Sequence, residues 1–467
     1  MEYAIVTARI SLDAMPLQRD LRLPVDYSAR LIAESVLCRL FTEDDAPNPG
    51  CAVEAEMLDG GSRWRIALDT DRSWSDGRPL LAQEVADAVV HALARGSSAA
   101  THFLSGPDAD SGKARPVRVV GADTVEFSFV RPVAFASALL SLPAFAPMRR
   151  SSYGHRAPVL GDCAVTHWDA EVVALERRTG SSSHGAFDAM RFEHVPLAAD
   201  AVRRFHEGDL DATSPTGFGV AEVAELEGHP GAVHKPVEIF GSLDLGRQAP
   251  RAWLASAEAR RSVSAVLDRN RLGTVTAGLA ESWRWPIIDA LGAGAPDGFA
   301  DDSVQRCAAL GVDGPLDIAY SAFDPNAEIA EEVAAQLRAA LGIEVRTREL
   351  SFDAYVRAST TRDFCLLYSL TTPAFSHPAG SLSDWHSTGR AARRSGLRDP
   401  VLDTALDAAE SCHDPAEADR LWACASNRWC TLLPKIPLVR VRAWYLRGGC
   451  LSGLEVSQAG LLRLEAG

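Results

Sequence analysis

Apolar positions along this chain recur with two periods, and the switches between them outline its elements. Residues 64–68 (W-R-I-A-L) alternate like a half-buried strand, whereas in residues 82–93 Val85, Ala86, Val89, Val90 and Leu93 recur at helical spacing. Between the two runs stand Asp76-Gly77, a turn dipeptide, and Pro79, which precedes the helix formers. Residues 74–85 are thus predicted to end a strand, turn tightly and open a helix. Residues 3–10 read as the first strand. Further on, residues 316–320 predict a strand and residues 329–341 an amphipathic helix ending at Gly342, where a helix C-cap prefers glycine; residues 343–350 alternate as a returning strand. A strand, helix and strand of these lengths predict a βαβ unit in a parallel sheet with a right-handed crossover.

Length changes this picture first, because 467 residues exceed what one hydrophobic core serves and predict two or three domains. Charge removes one class of partner. The formal net charge is -15, and no cluster of Lys and Arg lies on a predicted helix face, so no nucleic-acid partner is expected. The pair Arg393-Arg394 reads as solvated loop charge. No apolar stretch is long enough to span a bilayer, and a soluble chain is expected. The sequence runs from Met1 into the first strand without a basic and then apolar leader, and its nine cysteines form no disulfide framework. Both features predict a cytoplasmic location for the chain as it stands, and an extracytoplasmic one if a leader was removed. No C-x-x-C pair occurs, and Cys424 and Cys430, six apart, fall on different helix faces, so neither a metal nor a cofactor is expected.

The strand-turn-helix segment W-S-D-G-R-P-L-L-A-Q-E-V at 74–85 resembles the W-S-D-G-x-P-x-T-A-x-D-V signature of the peptide/nickel-type solute-binding proteins that feed ABC importers. A second match, in residues 259–269, is similar to that family's R-x-A-x-x-x-A-I-D-R pattern. The resemblance extends over nearly the whole chain. Residues 31–41 look like the family's early helix, 46–50 its turn and 51–54 the entry to its next hairpin. Residues 187–211 look like its strand, helix and G-x-x-D segment, with Val202, Phe205 and Leu210 in the core, while 396–403 resemble its late helix entry and 460–464 its closing strand. It implies an α/β fold: a two-lobed, periplasmic-binding-protein-like clam with an inserted subdomain. Residues 1–38, 165–245 and 445–467 would form the first lobe, 39–164 a subdomain inserted in that first lobe, and 246–444 the second lobe. The implied function is to enclose a small-molecule or peptide-like ligand between the lobes by hinge closure, as a monomer that docks to an ABC permease.

The cleft departs from the family pattern. Peptide-binding relatives carry a loop G-W-x-A-D-Y-x-x-P whose Asp pairs with the peptide amine; the matching residues 370–378 (L-T-T-P-A-F-S-H-P) offer Ala374 in its place. The family's G-T-G-P-Y is also lost, with Asp162 and Cys163 beside the one glycine that remains. The resemblance therefore points to a ligand other than a plain peptide with a charged amino terminus. The candidate lining is Asp162, Cys163, Phe240, Trp283, Trp285, Thr371, Thr372, Ala374, Phe375, His377 and Trp385. Trp283 and Trp285 would stack on a ligand or cap a core edge. Asp384-Trp385-His386 reads as a loop around a buried tryptophan. The alternative is a cytosolic enzyme of specialised metabolism on the same scaffold, with Cys163 as nucleophile and His167 as its base. G-x-S-x-G, the phosphate-loop pattern, H-E-x-x-H and a strand-linked G-x-G-x-x-G are all absent from the sequence.

Overall fold

A computed structural model of the chain describes residues 6–42, 50–104, 115–149, 158–178, 187–285, 315–451 and 453–464. The turn read at 46–49 and the start of the first strand at 3–5 lie outside the described residues.

Two hydrophobic cores organise the molecule. The first surrounds a four-stranded sheet in the order Thr7–Leu12, Ala189–His194, Val172–Arg177, Cys163–Trp168, whose first pair is parallel and whose others are antiparallel. Arg9 in its first strand forms a bidentate pair with Asp211, the acid of the G-x-x-D segment, at 3.0 Å on each side. Helix Tyr27–Val36 buries Ala29, Leu31, Ile32, Ala33 and Val36 in the same core, and Asp26 caps its amino terminus.

The second core holds a six-stranded sheet ordered Ala280–Ser282, Ile436–Leu446, Ala232–Leu245, Leu366–Thr371, Leu316–Ser321, Val345–Leu350. Leu316–Ser321 and Val345–Leu350 are parallel and joined by helix Asn326–Leu341, which Gly342 closes at φ 67°, so the βαβ unit read from the sequence is present. A small antiparallel sheet, Ala52–Leu58, Arg63–Leu68, Thr124–Ser128 and Val117–Val119, carries helix Ala82–Ala94 and shares this second core.

Two long strands pass between the cores. Ala232–Leu245 and Ile436–Leu446 pair antiparallel over most of their length; Val237, Ile239, Ala443 and Tyr445 belong to the first core, Leu243, Leu245, Ile436 and Val439 to the second. Their register slips between Pro437 and Val439 and again between Arg440 and Arg442, close to where core membership changes. Bulges add local twist and bend to a strand, so the two strands bend as they pass from one core to the other.

Two local expectations are corrected. The early helix read at 31–41 ends at Val36: Leu37 is extended, and Cys38 to Phe41 are buried outside the helix. The cause is a close approach, because a Cβ on Gly161 would lie 2.3 Å from the Val36 carbonyl oxygen; only glycine lets that loop cross the helix end. Val90, one of the apolar residues that recur at helical spacing, is 49 % exposed.

Candidate functional site

The segments most alike to the family turn out to be structural. Glu84, the third residue of its helix, accepts bonds from the Trp74 indole N–H at 2.8 Å, the Leu81 amide at 3.0 Å and Arg149 at 2.9 Å. Arg149 also reaches Asp76 at 2.7 Å and lies over the Trp74 ring at 5.0 Å. Gly77, at φ 80°, closes the turn. The tryptophan, the two acids and the glycine thus lock strand, turn and helix together. In the second motif, Arg260 and Arg269 are both buried, and their guanidinium groups donate mainly to backbone carbonyls.

A cavity of about 400 Å³ lies on the second core's sheet, beside the crossing strands. Its floor is one side of Ala232–Leu245 (Phe240, Ser242, Asp244) and of Leu366–Thr371 (Ser369, Thr371). Helix Phe352–Thr361 and its C-cap bring Tyr355, Ser359 and Arg362 to it, and the small sheet's domain contributes Ser98 and His102. That helix buries no residue, consistent with a polar face turned toward a water-accessible space. Arg30, from the first core's helix, donates to the Thr372 hydroxyl at 2.6 Å, so the cavity rim touches both cores.

Of the residues singled out in the sequence, Phe240, Trp285, Thr371, Thr372, Ala374, Phe375 and Trp385 line this one cavity. Trp283 is buried beneath it, stacked on Phe240 at 5.4 Å with Arg440 over its ring. His377 stands behind the wall: its ring stacks on Phe135 at 4.4 Å and meets Trp422 edge-on, and its Nδ1 accepts the Ala379 amide. Asp162 and Cys163 do not line the cavity. Cys163 starts a strand of the first sheet, is 4 % exposed, and burial pushes its thiol up to about 11, so it stays protonated at neutral pH. His167 is exposed on the same strand and pairs with Asp169 at 2.7 Å; a register slip between Val165 and His167 separates it further from the thiol. The nucleophile and base are not assembled.

Several lining residues were not singled out in the sequence. Asp244, Tyr355, Ser359, Arg362 and Lys435 all face the cavity. The signal for three of them was the spacing of Tyr355, Ser359 and Arg362, at i, i+4 and i+7 on one helix face. Arg394, read as loop charge, sits on helix Arg390–Ser395 and reaches the cavity from an exposed position.

Burial against Phe135 and Trp422 pushes His377 down from the ordinary 6.5 to about 4, with the Glu410 charge opposing. An unfolded chain takes up a proton at this histidine below about 6.5, whereas the folded chain does so only near 4, so the folded state loses stability as pH falls through that window. The loss is at most about 3 kcal/mol. His377→Asn keeps an acceptor for the Ala379 amide but does not titrate. In urea unfolding at pH 7.5 and 4.5, the native chain is expected to lose roughly 2 kcal/mol more than this variant between the two pH values. Equal losses contradict the assignment.

Two cores joined by two long, bulged strands, with a cavity beside the crossing, define a two-lobed binding protein. Residues 46–393 match the bacterial extracellular solute-binding proteins, family 5 Middle, and the chain belongs to that family. It is 21 % identical over 397 residues to the periplasmic murein peptide-binding protein MppA of Escherichia coli K12, covering 77 % of this chain and 73 % of that one. The fold superposes on the E. coli murein tripeptide binding protein MppA with a TM-score of 0.84 at 16 % identity, covering 98 % and 96 % of the two chains. On the unliganded open form of MppA the score is 0.70 at 16 % identity, covering 98 % of this chain and 95 % of that one. On Haemophilus influenzae OppA in complex with the peptide RPPGFSPFR it is 0.83 at 16 % identity, covering 99 % of this chain and 100 % of that one.

Proposed function

We propose that this chain binds a small peptide-like solute in the cavity beside the crossing strands and delivers it, by hinge closure, to an ABC permease. The observation that carries this reading is the cavity itself: about 400 Å³, floored by strand ends, walled by Trp285, Phe375 and Trp385, and touching both cores at Arg30 and Thr372. Its volume falls within the roughly 300–1,000 Å³ of small-molecule sites. The relatives support the ligand class: one is a murein tripeptide binding protein, and another is in complex with the peptide RPPGFSPFR. The lower score against the unliganded open form supports lobes that stand closer together here than in that form.

The lobe division near residues 38, 164, 245 and 445 is part of the same reading. It is supported by the changes of core membership between Val36 and Cys38, Leu160 and Cys163, Ile239 and Leu243, and Val439 and Ala443. Buried residues of the inserted segment share their core with 246–444 and not with the first lobe to which the sequence reading joined them, so in this reading the moving body comprises both. Small-angle X-ray scattering of ligand-stripped protein tests the hinge. Adding the small-peptide fraction of a bacterial extract is expected to reduce the radius of gyration, and an unchanged profile despite measured binding would remove hinge closure from the account.

A further inference from the structure

Cysteine spacing predicts no disulfide framework, yet the fold sets two thiols side by side where the chain passes from one core to the other. Helix Tyr27–Val36 ends in the first core, and the extended segment that leaves it enters the second core at Cys38. That segment meets the start of strand Ala52–Leu58. The Cys51 amide donates to the Arg39 carbonyl at 2.8 Å, and the Gly50 and Ala52 amides donate to the Leu40 carbonyl at 3.0 and 3.1 Å. A Cβ on Gly50 would lie 2.2 Å from the Arg39 carbonyl oxygen, so only glycine admits this approach. The backbone pairing brings the Cys38 and Cys51 side chains into a hydrogen bond with each other, and both are free thiols.

The two sulfurs are not equivalent. Cys51 is fully buried, whereas Cys38 is 9 % exposed, so a small reagent meets Cys38 first. The Cys51 thiol donates to Cys38, which lowers Cys38 from the ordinary thiol value and raises Cys51. Arg72 favours the thiolate form of both; burial opposes it at both, and the charges of Asp162 and Asp69 oppose it at Cys38. Arg72 is held in place by Asp69 at 3.4 Å and by the Gly50 carbonyl at 3.3 Å. Arg178 also faces Cys38, and its guanidinium donates to the carbonyls of Leu160 and Gly161 at 3.0 and 3.1 Å, on the loop that crosses the helix end. A thiolate beside guanidinium groups, with a second thiol in contact, is the arrangement of an attacking cysteine and its resolving partner.

We propose that Cys38 and Cys51 form a thiol–disulfide exchange site, oxidised by a low-molecular-weight disulfide to a bond that staples the segment leaving the first core to the small sheet. The Cys38 thiolate attacks one sulfur of the reagent R–S–S–R, forming Cys38–S–S–R and expelling R–S⁻, which takes the proton that Cys38 had shed. The Cys51 thiol then attacks the Cys38 sulfur and releases the second R–S–H, to which its proton passes. Two electrons move from the dithiol to the reagent, and two thiols of the reagent are formed. The new bond closes the loop from 38 to 51, which restricts the unfolded chain and makes the oxidised form the more stable one.

The test incubates the reduced full chain with excess glutathione disulfide, blocks the remaining thiols with N-ethylmaleimide and maps the digest by mass spectrometry. A Cys38–Cys51 cross-link is expected, with a midpoint of thermal unfolding raised by roughly 5 °C and returned to its starting value by dithiothreitol. Cys51→Ser should stop at glutathione bound to Cys38, and Cys38→Ser should leave Cys51 unmodified; circular dichroism shows that each variant is folded. In the native reduced chain, brief labelling with iodoacetamide should modify Cys38 at least about tenfold faster than Cys51, a readout that needs no variant. A native chain in which both thiols stay reduced, a cross-link from either to another cysteine, or an oxidised chain that melts no higher than the reduced one overturns the proposal.

Discussion

Arg269→Met is expected to remove about 3–5 kcal/mol of folding stability, the cost of leaving several buried hydrogen-bond acceptors unpaired. Arg269 is 2 % exposed. Its Nε donates to the Pro437 carbonyl at 2.9 Å, one terminal nitrogen to the Ser264 and Leu267 carbonyls at 2.9 and 3.2 Å, and the other to the Ser264 hydroxyl at 2.6 Å. The side chain therefore ties the end of helix Ala257–Ala265 to Ile436–Leu446, one of the two crossing strands. Burial pushes the group down to about 9, still well above neutrality, so the positive charge is retained and satisfied by carbonyl dipoles. Methionine fills much of the volume but donates nothing, leaving these acceptors buried and unpaired. Guanidinium unfolding measures the loss. Arg269→Lys should restore part of it, and a loss for Arg269→Met below about 1 kcal/mol contradicts the role assigned to the network.

Ala374→Asp is expected to create a preference for ligands with a free amine. In our reading Ala374 occupies the position at which peptide-binding relatives hold a carboxylate. It lies on the cavity wall, exposed, with its amide fixed to the Gly380 carbonyl at 3.0 Å, so a substituted side chain starts from a defined backbone. A carboxylate placed there would gain one charge-assisted contact to an ammonium group, about 1.4 kcal/mol or tenfold in affinity. Calorimetry with trialanine and N-acetyl-trialanine makes the comparison. The native chain should bind the two within about threefold, and the variant should favour trialanine about tenfold more than the native chain does. If the native chain already prefers the free amine by that margin, an acid elsewhere, Asp244 being the one at hand, is the anchor.

Much of the fold was legible because local chemistry and global packing agree in this chain. Asp76-Gly77 turns where a turn dipeptide should, the helix from Ala82 begins as read, and the βαβ unit at 316–350 has its expected glycine cap. Disagreement arose where distant contacts decided. The apolar run at 37–41 has helical character in isolation, but the crossing loop at Gly161 leaves no room for another turn. Val90 has the right spacing for the core face and falls just beyond it.

The site was only partly legible for a related reason. Aromatic and small residues of the 371–375 loop could be placed by resemblance, and they line the cavity. Charges could not. A sequence does not distinguish Arg394, which reaches a cavity from a helix, from its exposed neighbour Arg393. Cys163 and His167 looked adjacent because they are four apart, yet a strand with a register slip directs one into the core and the other to the surface. Asp244 left a faint trace, as one of the polar residues at 238, 242 and 244 that alternate with apolar ones in the second half of its strand.

Native mass spectrometry of the full chain isolated from its own host, followed by denaturation to release whatever travels with it, tests the central claim most directly. One intact, peptide-like molecule per chain, non-covalently held and lost from Trp285→Ala, is the expected result. A covalent adduct on the protein, or a released molecule that Trp285→Ala retains at full occupancy, would contradict it.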